Sequence, residues 1–227
     1  MIKEIKGLKY PDDYIIRFLF KEKLHEKTGK MLELGCGNGN NLMPFFQYGW
    51  DVSGVDTCKD AILNADENFF LCQTSCKLTN IFNFYTQNMV DFINEFNEEP
   101  FDVLLLPNSI CYLDYPQIIR LFFLAKKKKI VQPGSYIFIR TRTPSDCRYG
   151  MGERIGDKTF KLKTHETGEY DLINTFLNES ELISILELHF EFEFKKIFHV
   201  QFDNIQMDYL TTNHDIVFWG KINTIKV

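Results

Sequence analysis

The chain alternates short apolar runs with stretches whose apolar residues recur at helical spacing. Tyr10-Pro11-Asp12-Asp13 precedes Tyr14, Ile15, Ile16, Phe18 and Leu19, and proline with acids at a helix start predicts a first helix to about Lys23. Met31-Leu32-Glu33-Leu34 reads as a buried strand, and Leu42, Phe45 and Phe46 then form one face of a helix near 40–48. Val52-Ser53-Gly54-Val55 predicts a second strand, with a helix from about residue 58. Ile81 to Tyr85 predicts a third strand. Phe101-Asp102-Val103-Leu104-Leu105-Leu106 is apolar enough for a strand buried on both faces of a parallel sheet. A helix over 116–129 follows, then Pro133-Gly134 and a fifth strand from Ser135 to Arg140. Strands alternating with helices predict an α/β fold built on a doubly wound, mostly parallel sheet.

The pattern changes after the fifth strand. Residues 141–173 are polar and carry Gly150, Gly152, Gly156 and Gly168, which predicts an inserted loop or lid. Asn178-Glu179-Ser180-Glu181 has capping-box form ahead of Leu182, Ile183, Ile185 and Leu186, a helix. Phe190, Phe192 and Phe194 alternate with glutamates, and Asp215 to Gly220 closes the pattern. Two late strands without a long crossover predict an antiparallel hairpin at the sheet edge. The length of 227 residues suits a single domain, 1–227, with a helical cap at 1–28 and a substrate-side insertion at 141–175.

The candidate chemistry starts where the first strand stops. Gly35, Gly37 and Gly39 alternate with Cys36 and Asn38 between that strand and the next helix. Glycine lets the main chain approach a bound nucleotide-like ligand, and a helix start favours an anionic group. A dinucleotide fingerprint needs Gly-x-Gly-x-x-Gly, and here the third glycine comes one residue early. Asp56 stands at the carboxyl end of the second strand, placed to accept hydrogen bonds from ribose hydroxyls. The plain alternative, which can hold alongside it, is that Asp56 or Thr57 is the N-cap of the helix that follows.

A net charge of −5 argues against a general nucleic-acid binder. The basic run Lys126 to Lys129 follows an apolar helix, where it solvates and complements the helix C-terminus. Six cysteines without a Cys-x-x-Cys pair and five scattered histidines give no metal-ligand pattern. No signal-peptide core and no membrane-spanning run is evident, so a reducing cytoplasm without membrane association is expected.

The string Glu33, Gly35, Gly37, Gly39 with Asp56 downstream resembles the class I S-adenosylmethionine-dependent methyltransferases, in order over about residues 10 to 223. The resemblance implies seven strands with an antiparallel last strand, S-adenosylmethionine as cofactor, S-adenosylhomocysteine as product, and no metal. It implies a cofactor set of Glu33, Gly35, Cys36, Gly37, Asn38, Gly39, Asp56 and Thr57. Asn88 stands where the family commonly has an acid for the adenine amino group, and Met89 is placed to pack on adenine. Pro107 and Asn108 map to the motif after the fourth strand. Leu106-Pro107-Asn108-Ser109 is not the Asn-Pro-Pro-Tyr signature of amine-methylating DNA enzymes. Arg140-Thr141-Arg142-Thr143-Pro144-Ser145-Asp146-Cys147-Arg148-Tyr149-Gly150, with Thr167-Gly168-Glu169 and Ile173-Asn174, resembles a bacterial small-molecule group. Its members often accompany surface-polysaccharide genes.

Methyl transfer asks the protein mainly for alignment and desolvation, and a hydroxyl acceptor can also need a base. Asp146 and His165 are the most base-like residues of the long segment, and Tyr112 follows the fourth strand beside Asp114 and Tyr115. Each has a plain alternative: a turn former, a solvated side chain, a packed ring. Arg140, Arg142 and Arg148 lie within nine residues, beside Tyr149. A guanidinium fork suits phosphate, which makes these four the expected grip on a small anionic acceptor such as an activated glycan precursor. A solvated charged loop is the alternative. Arg17, with Tyr10 and Tyr14, either folds over the cofactor carboxylate or lies on a surface helix. Methylation of another metabolite or protein side chain, and cofactor binding without catalysis, are the competing functions. Oligomeric state stays open.

Overall fold

The computed structural model describes residues 3–206 and 208–224. Its seven-stranded sheet runs in the order β3-β2-β1-β4-β5-β10-β9. The strands are β1 (Lys30–Leu34), β2 (Asp51–Asp56), β3 (Phe82–Thr86), β4 (Phe101–Pro107), β5 (Val131–Arg142), β9 (Phe192–Gln206) and β10 (Tyr209–Ile222). The helices are α1 (Asp13–Lys21), α2 (Met43–Gln47), α3 (Lys59–Cys76), α4 (Met89–Glu95), α5 (Tyr115–Lys127) and α6 (Glu179–Glu187). The β1–β2, β1–β4 and β2–β3 pairs are parallel, and β9–β10 is antiparallel. This is the doubly wound, mostly parallel α/β sheet that the alternation of elements predicts.

The chain folds as two compact units. The first holds residues up to Leu105 with Lys128–Tyr136, and the second Leu106–Lys127 with everything from Ile137 onward. In the first unit, Met31, Leu32, Glu33 and Leu34 are all buried, so β1 is covered on both faces. Asp12 caps α1 by accepting the Tyr14 N–H at 2.8 Å, and Ile15, Phe18 and Leu19 supply its buried stripe. Phe46, Phe69, Phe82 and Phe84 interlock with ring centroids 4.9–6.2 Å apart, joining α2, α3 and β3.

In the second unit, residues 141–173 are not the open loop their polarity suggests. They contain β6 (Gly152–Gly156) and β7 (Thr159–Leu162), and β7 pairs with β6 on one side and β8 (Ile173–Thr175) on the other in a small antiparallel sheet. Phe160, Leu162 and Phe176 form a buried cluster beneath it. The capping box is present: Asn178 accepts the Glu181 N–H while Glu181 accepts the Asn178 N–H. β9 and β10 run far longer than the sequence pattern, with β9 at the edge and largely exposed.

Candidate functional site

The first unit carries the glycine loop. Gly35, Gly37 and Gly39 have φ of 81°, 53° and 78°, values that side chains other than glycine rarely adopt. The Gly35 and Cys36 N–H groups donate to the Val55 carbonyl at 2.7 and 3.1 Å, which ties the loop to the end of β2. Asp56 then braces it. Its Oδ2 accepts the Gly37 N–H at 2.8 Å and its Oδ1 accepts the Cys58 N–H at 2.9 Å. Asp56 is thus fixed beside the glycines, and the N-cap of α3 is Cys58 without a side-chain cap, so neither Asp56 nor Thr57 takes the cap position that the sequence offers them. Thr57 is exposed next to it. A Cβ on Gly37 would meet nothing within 4 Å, whereas one on Gly39 would strike the Phe69 ring at 2.7 Å. The loop therefore has an open side at Gly37 and a packed side at Gly39.

Glu33 lies fully buried at the end of β1. Its Oε1 accepts the Asn41 amide N–H at 2.8 Å, and its Oε2 has no partner. Burial pushes this carboxyl up to about 8; the Asn41 bond opposes the rise, and Asp56 and Asp12 add to it. The Cys36 thiol is pushed well up by burial, then by Glu33 and Asp56, and is inert as a nucleophile. An open glycine loop, an anchored strand-end acid and an orphaned buried carboxylate oxygen fit a nucleoside that carries a cationic amino acid.

The segment before α1 crosses this loop as a strap held by side-chain amides. Asn38 accepts the Leu8 N–H at 3.1 Å and donates to the Lys6 and Leu8 carbonyls at 2.9 and 2.7 Å. Asn68 accepts the Lys6 N–H at 2.9 Å, Asn40 donates to the Tyr10 carbonyl at 2.9 Å, and Asn41 accepts the Asp12 N–H at 2.9 Å. Asn38 is therefore a strut between loop and strap. Its part in the strap carries no signal in the sequence, because its partners are main-chain atoms about 30 residues away. On α1, the Arg17 guanidinium lies 4.6 Å over the Tyr14 ring and 3.3 Å from Asp13, on the exposed side of the helix. Asn88 caps α4, its Oδ1 accepting the Val90 N–H at 2.8 Å, and half-buried Met89 opens that helix.

The second unit holds the arginines. Pro107 ends β4, and Asn108 takes a left-handed φ of 55° while its N–H donates to the Arg140 carbonyl at 2.8 Å. Arg140 pairs with Asp215 at 2.7 Å. Arg142 donates to Glu169 at 2.7 Å and to the Asn174 carbonyl oxygen of the side chain. Arg148 donates to Glu169 at 2.5 Å, Asp146 at 2.9 Å, Asn213 at 2.9 Å and Gln206 at 2.7 Å. Three guanidinium groups thus face three carboxylates. The structure corrects the expectation of a cationic clamp: these arginines are buried and already compensated.

The base-like residues are corrected as well. Asp146 is buried, with both oxygens taken by Arg148 and Oδ2 also accepting the His214 N–H at 3.0 Å. His165 is exposed and stacks on Tyr170, centroids 4.3 Å apart. Tyr149 packs edge-on against Phe160 and Phe176, as part of the apolar cluster. Tyr112 donates its hydroxyl proton to Glu169 at 2.5 Å, and burial raises the hydroxyl well above its ordinary value. Burial also pushes Glu169 up, but the Arg142 charge, the Tyr112 hydrogen bond and Arg148 outweigh it, so Glu169 sits below the usual carboxylate range. Glu169 is the junction that sequence reasoning missed as a site residue, because it lies 21 and 27 residues beyond its arginine partners. In the same unit, Ser109 Oγ, Thr141 Oγ1 and Thr167 Oγ1 are buried without hydrogen-bond partners. No group of metal-ligating side chains is found among the described residues.

A family model described as a methyltransferase domain matches residues 5–197. A ubiquinone biosynthesis O-methyltransferase of Aliivibrio fischeri is 26% identical over 158 residues, 70% of this chain and 62% of the relative. The match thus spans about three fifths of that relative's length. A S-adenosylmethionine-dependent methyltransferase from Methanosarcina mazei superposes with a TM-score of 0.67 at 18% identity, over 90% of this chain and 97% of its own. The N-methyltransferase NodS from Bradyrhizobium japonicum, bound to S-adenosylhomocysteine, superposes with a TM-score of 0.57 at 16% identity, over 92% and 86%. With the glycine loop and sheet order described above, these matches place the chain in the methyltransferase domain family, with the fold of the class I S-adenosylmethionine-dependent enzymes.

Proposed function

We propose that the chain transfers the methyl group of S-adenosylmethionine to an oxygen of a small molecule. The observation that carries the cofactor half is the brace between Asp56 and the Gly37 N–H, which holds a ribose-ready acid against an open glycine loop. Bound there, the cofactor supplies an electrophilic methyl with its own leaving group, so the chain's residues align and desolvate rather than activate it. Asp56 keeps lone pairs for ribose hydroxyls, and Gly37 leaves the main chain uncovered. The oxygen acceptor is supported by the name of the distant curated relatives, which are O-methyltransferases.

The acceptor is best read as one whose oxygen ionises without help. Asp146 and Tyr112 are each hydrogen-bonded to a charged partner, His165 is exposed and stacked on Tyr170, and Glu169 is held ionised by two arginines. A phosphate-type oxygen meets that condition outright, and a phenolic hydroxyl, with an ordinary pKa of about 10, comes nearer to it than an alcohol does. Phosphorylated or nucleotide-activated glycan precursors, suggested by the resemblance of residues 140–150, belong to the second kind. To reach Arg142 or Arg148, such an anion must displace Glu169. Buried hydroxyls at Ser109, Thr141 and Thr167 offer neutral hydrogen-bonding atoms on the same unit.

Calorimetric titration with S-adenosylhomocysteine tests the cofactor half. Micromolar binding that Asp56→Ala weakens by at least about tenfold supports it, the loss expected for a charge-assisted contact of about 1.5–3 kcal/mol. Homocysteine-nucleoside production across phenols, phosphorylated sugars and nucleotide sugars then ranks acceptors. Binding without production on any of them favours a non-catalytic cofactor-binding role.

A further inference from the structure

Among the described residues, four carboxylates are buried: Glu33, Asp146, Glu169 and Asp215. The last three each face an arginine at 2.5–2.9 Å. Glu33 faces none. Its neighbours are the Asn41 amide, Asp12 at the start of α1, Asp56 at the end of β2 and the Cys36 thiol in the glycine loop. The flanking strands bring Gly54 and Leu105 into register with it. Every charged group facing Glu33 is therefore acidic, and one of its oxygens has no partner at all.

A carboxyl in that setting keeps its proton, because burial and like charges both penalise the ionised form. Burial pushes it up to about 8, in line with that geometry. The cofactor is a cation: its amino-acid end carries an ammonium, and S-adenosylmethionine adds a sulfonium. A positive charge entering the glycine loop supplies what the arginines supply to the other three buried acids.

We propose that cofactor binding expels the proton from Glu33, so that the affinity of this site for its cofactor is linked to pH. The inference rests on the methyltransferase reading above. The balance is simple: the O–H bond of the Glu33 carboxyl breaks, its electron pair stays on the carboxylate beside the bound cation, and the proton leaves to buffer. Asn41 takes part as the positioning residue. It holds Oε1 through its amide N–H while its own carbonyl accepts the Asp12 N–H, so the same side chain links the carboxyl to the strap.

The test is titration calorimetry of the full chain with S-adenosylhomocysteine, in buffers of low and high ionisation enthalpy such as phosphate and Tris. At about pH 7 the difference in heat should correspond to close to one proton released per ligand bound. Affinity should rise by up to about tenfold per unit between about pH 6 and pH 8, then level off. Glu33→Gln should bind with heats independent of buffer and a flat pH profile. Wild-type binding with buffer-independent heats and flat affinity overturns the inference and leaves the methyltransferase reading standing, whatever the variant does. A folded wild-type protein that binds no S-adenosylhomocysteine at any pH overturns both.

Discussion

Arg148 is 2% exposed, yet every nitrogen of its guanidinium has an acceptor in Asp146, Glu169, Asn213 or Gln206. Such a group holds four segments in one arrangement, and removing it strands the buried Asp146 carboxylate and leaves Glu169 to Arg142 and Tyr112. Arg148→Ala should therefore cost about 3–5 kcal/mol in urea unfolding. Arg148→Lys should recover only part of that, because an ammonium cannot reproduce the planar fork. A loss under about 1 kcal/mol for the alanine variant would mean that solvent replaces the network. Glu33 sets the opposite case, a buried acid without a cation. Its carboxyl moves from 4.5 to about 8 on folding, so between those values the folded state binds the extra proton. Stability from this group is complete below about pH 4.5 and is lost as pH rises toward 8. Glu33→Gln has no proton to lose. Its unfolding midpoint should thus decline less than wild type from about pH 5 to pH 8, and parallel curves would show that Glu33 ionises freely in the fold.

At the scale of elements, the strap over the glycine loop is held by amides rather than by apolar burial. Leu8 and Tyr10 are both 69% exposed, while Asn38 alone makes three hydrogen bonds to it. Asn38→Ala should free the strap without unfolding the sheet. The expected signature is hydrogen exchange at Leu8, whose N–H donates to Asn38, faster by about tenfold or more, since each bond contributes about 0.5–1.5 kcal/mol, with little change in exchange at β1 and β4. Equal acceleration throughout would instead make Asn38 part of the global fold. Elements of this chain were legible in proportion to how fully they are buried. β1 and β4 read as continuous apolar runs because both faces are covered, and α1 and α6 declared themselves through Asp12 and the Asn178 box. Helix α4 is short, with only Val90 and Ile93 buried, too little for a periodic signal. β6 is exposed at every residue, so the inserted sheet shows no alternation and reads as loop. The outer half of β9 is hidden for the same reason.

Across the whole molecule, local chemistry was legible and remote pairing was not. The glycine loop and Asp56 act through main-chain atoms and one nearby acid, 19 residues from Gly37, and spacing alone exposed them. The arginines looked like an anion grip because two of their three carboxylate partners, Glu169 and Asp215, lie from 21 to 75 residues away. Only the folded chain reveals that three positive and three negative groups neutralise one another. The cofactor assignment therefore stands on the legible half, and it makes a prediction for the stability of the complete protein. A ligand that binds only the folded state stabilises it by about 2.7 kcal/mol at a hundred times its Kd. For a chain of 227 residues, each kcal/mol raises Tm by about 2–4 °C, so saturating S-adenosylhomocysteine should raise Tm by about 5–10 °C. Should the two units melt separately, the shift belongs to the transition of the unit that carries Gly35 to Gly39. NAD at the same concentration should leave Tm unchanged, since the third glycine stands one residue early for a dinucleotide and the Gly39 side is closed by Phe69. A shift with NAD and none with S-adenosylhomocysteine would reverse the cofactor assignment, because both ligands would be read by the same loop and the same Asp56 carboxylate.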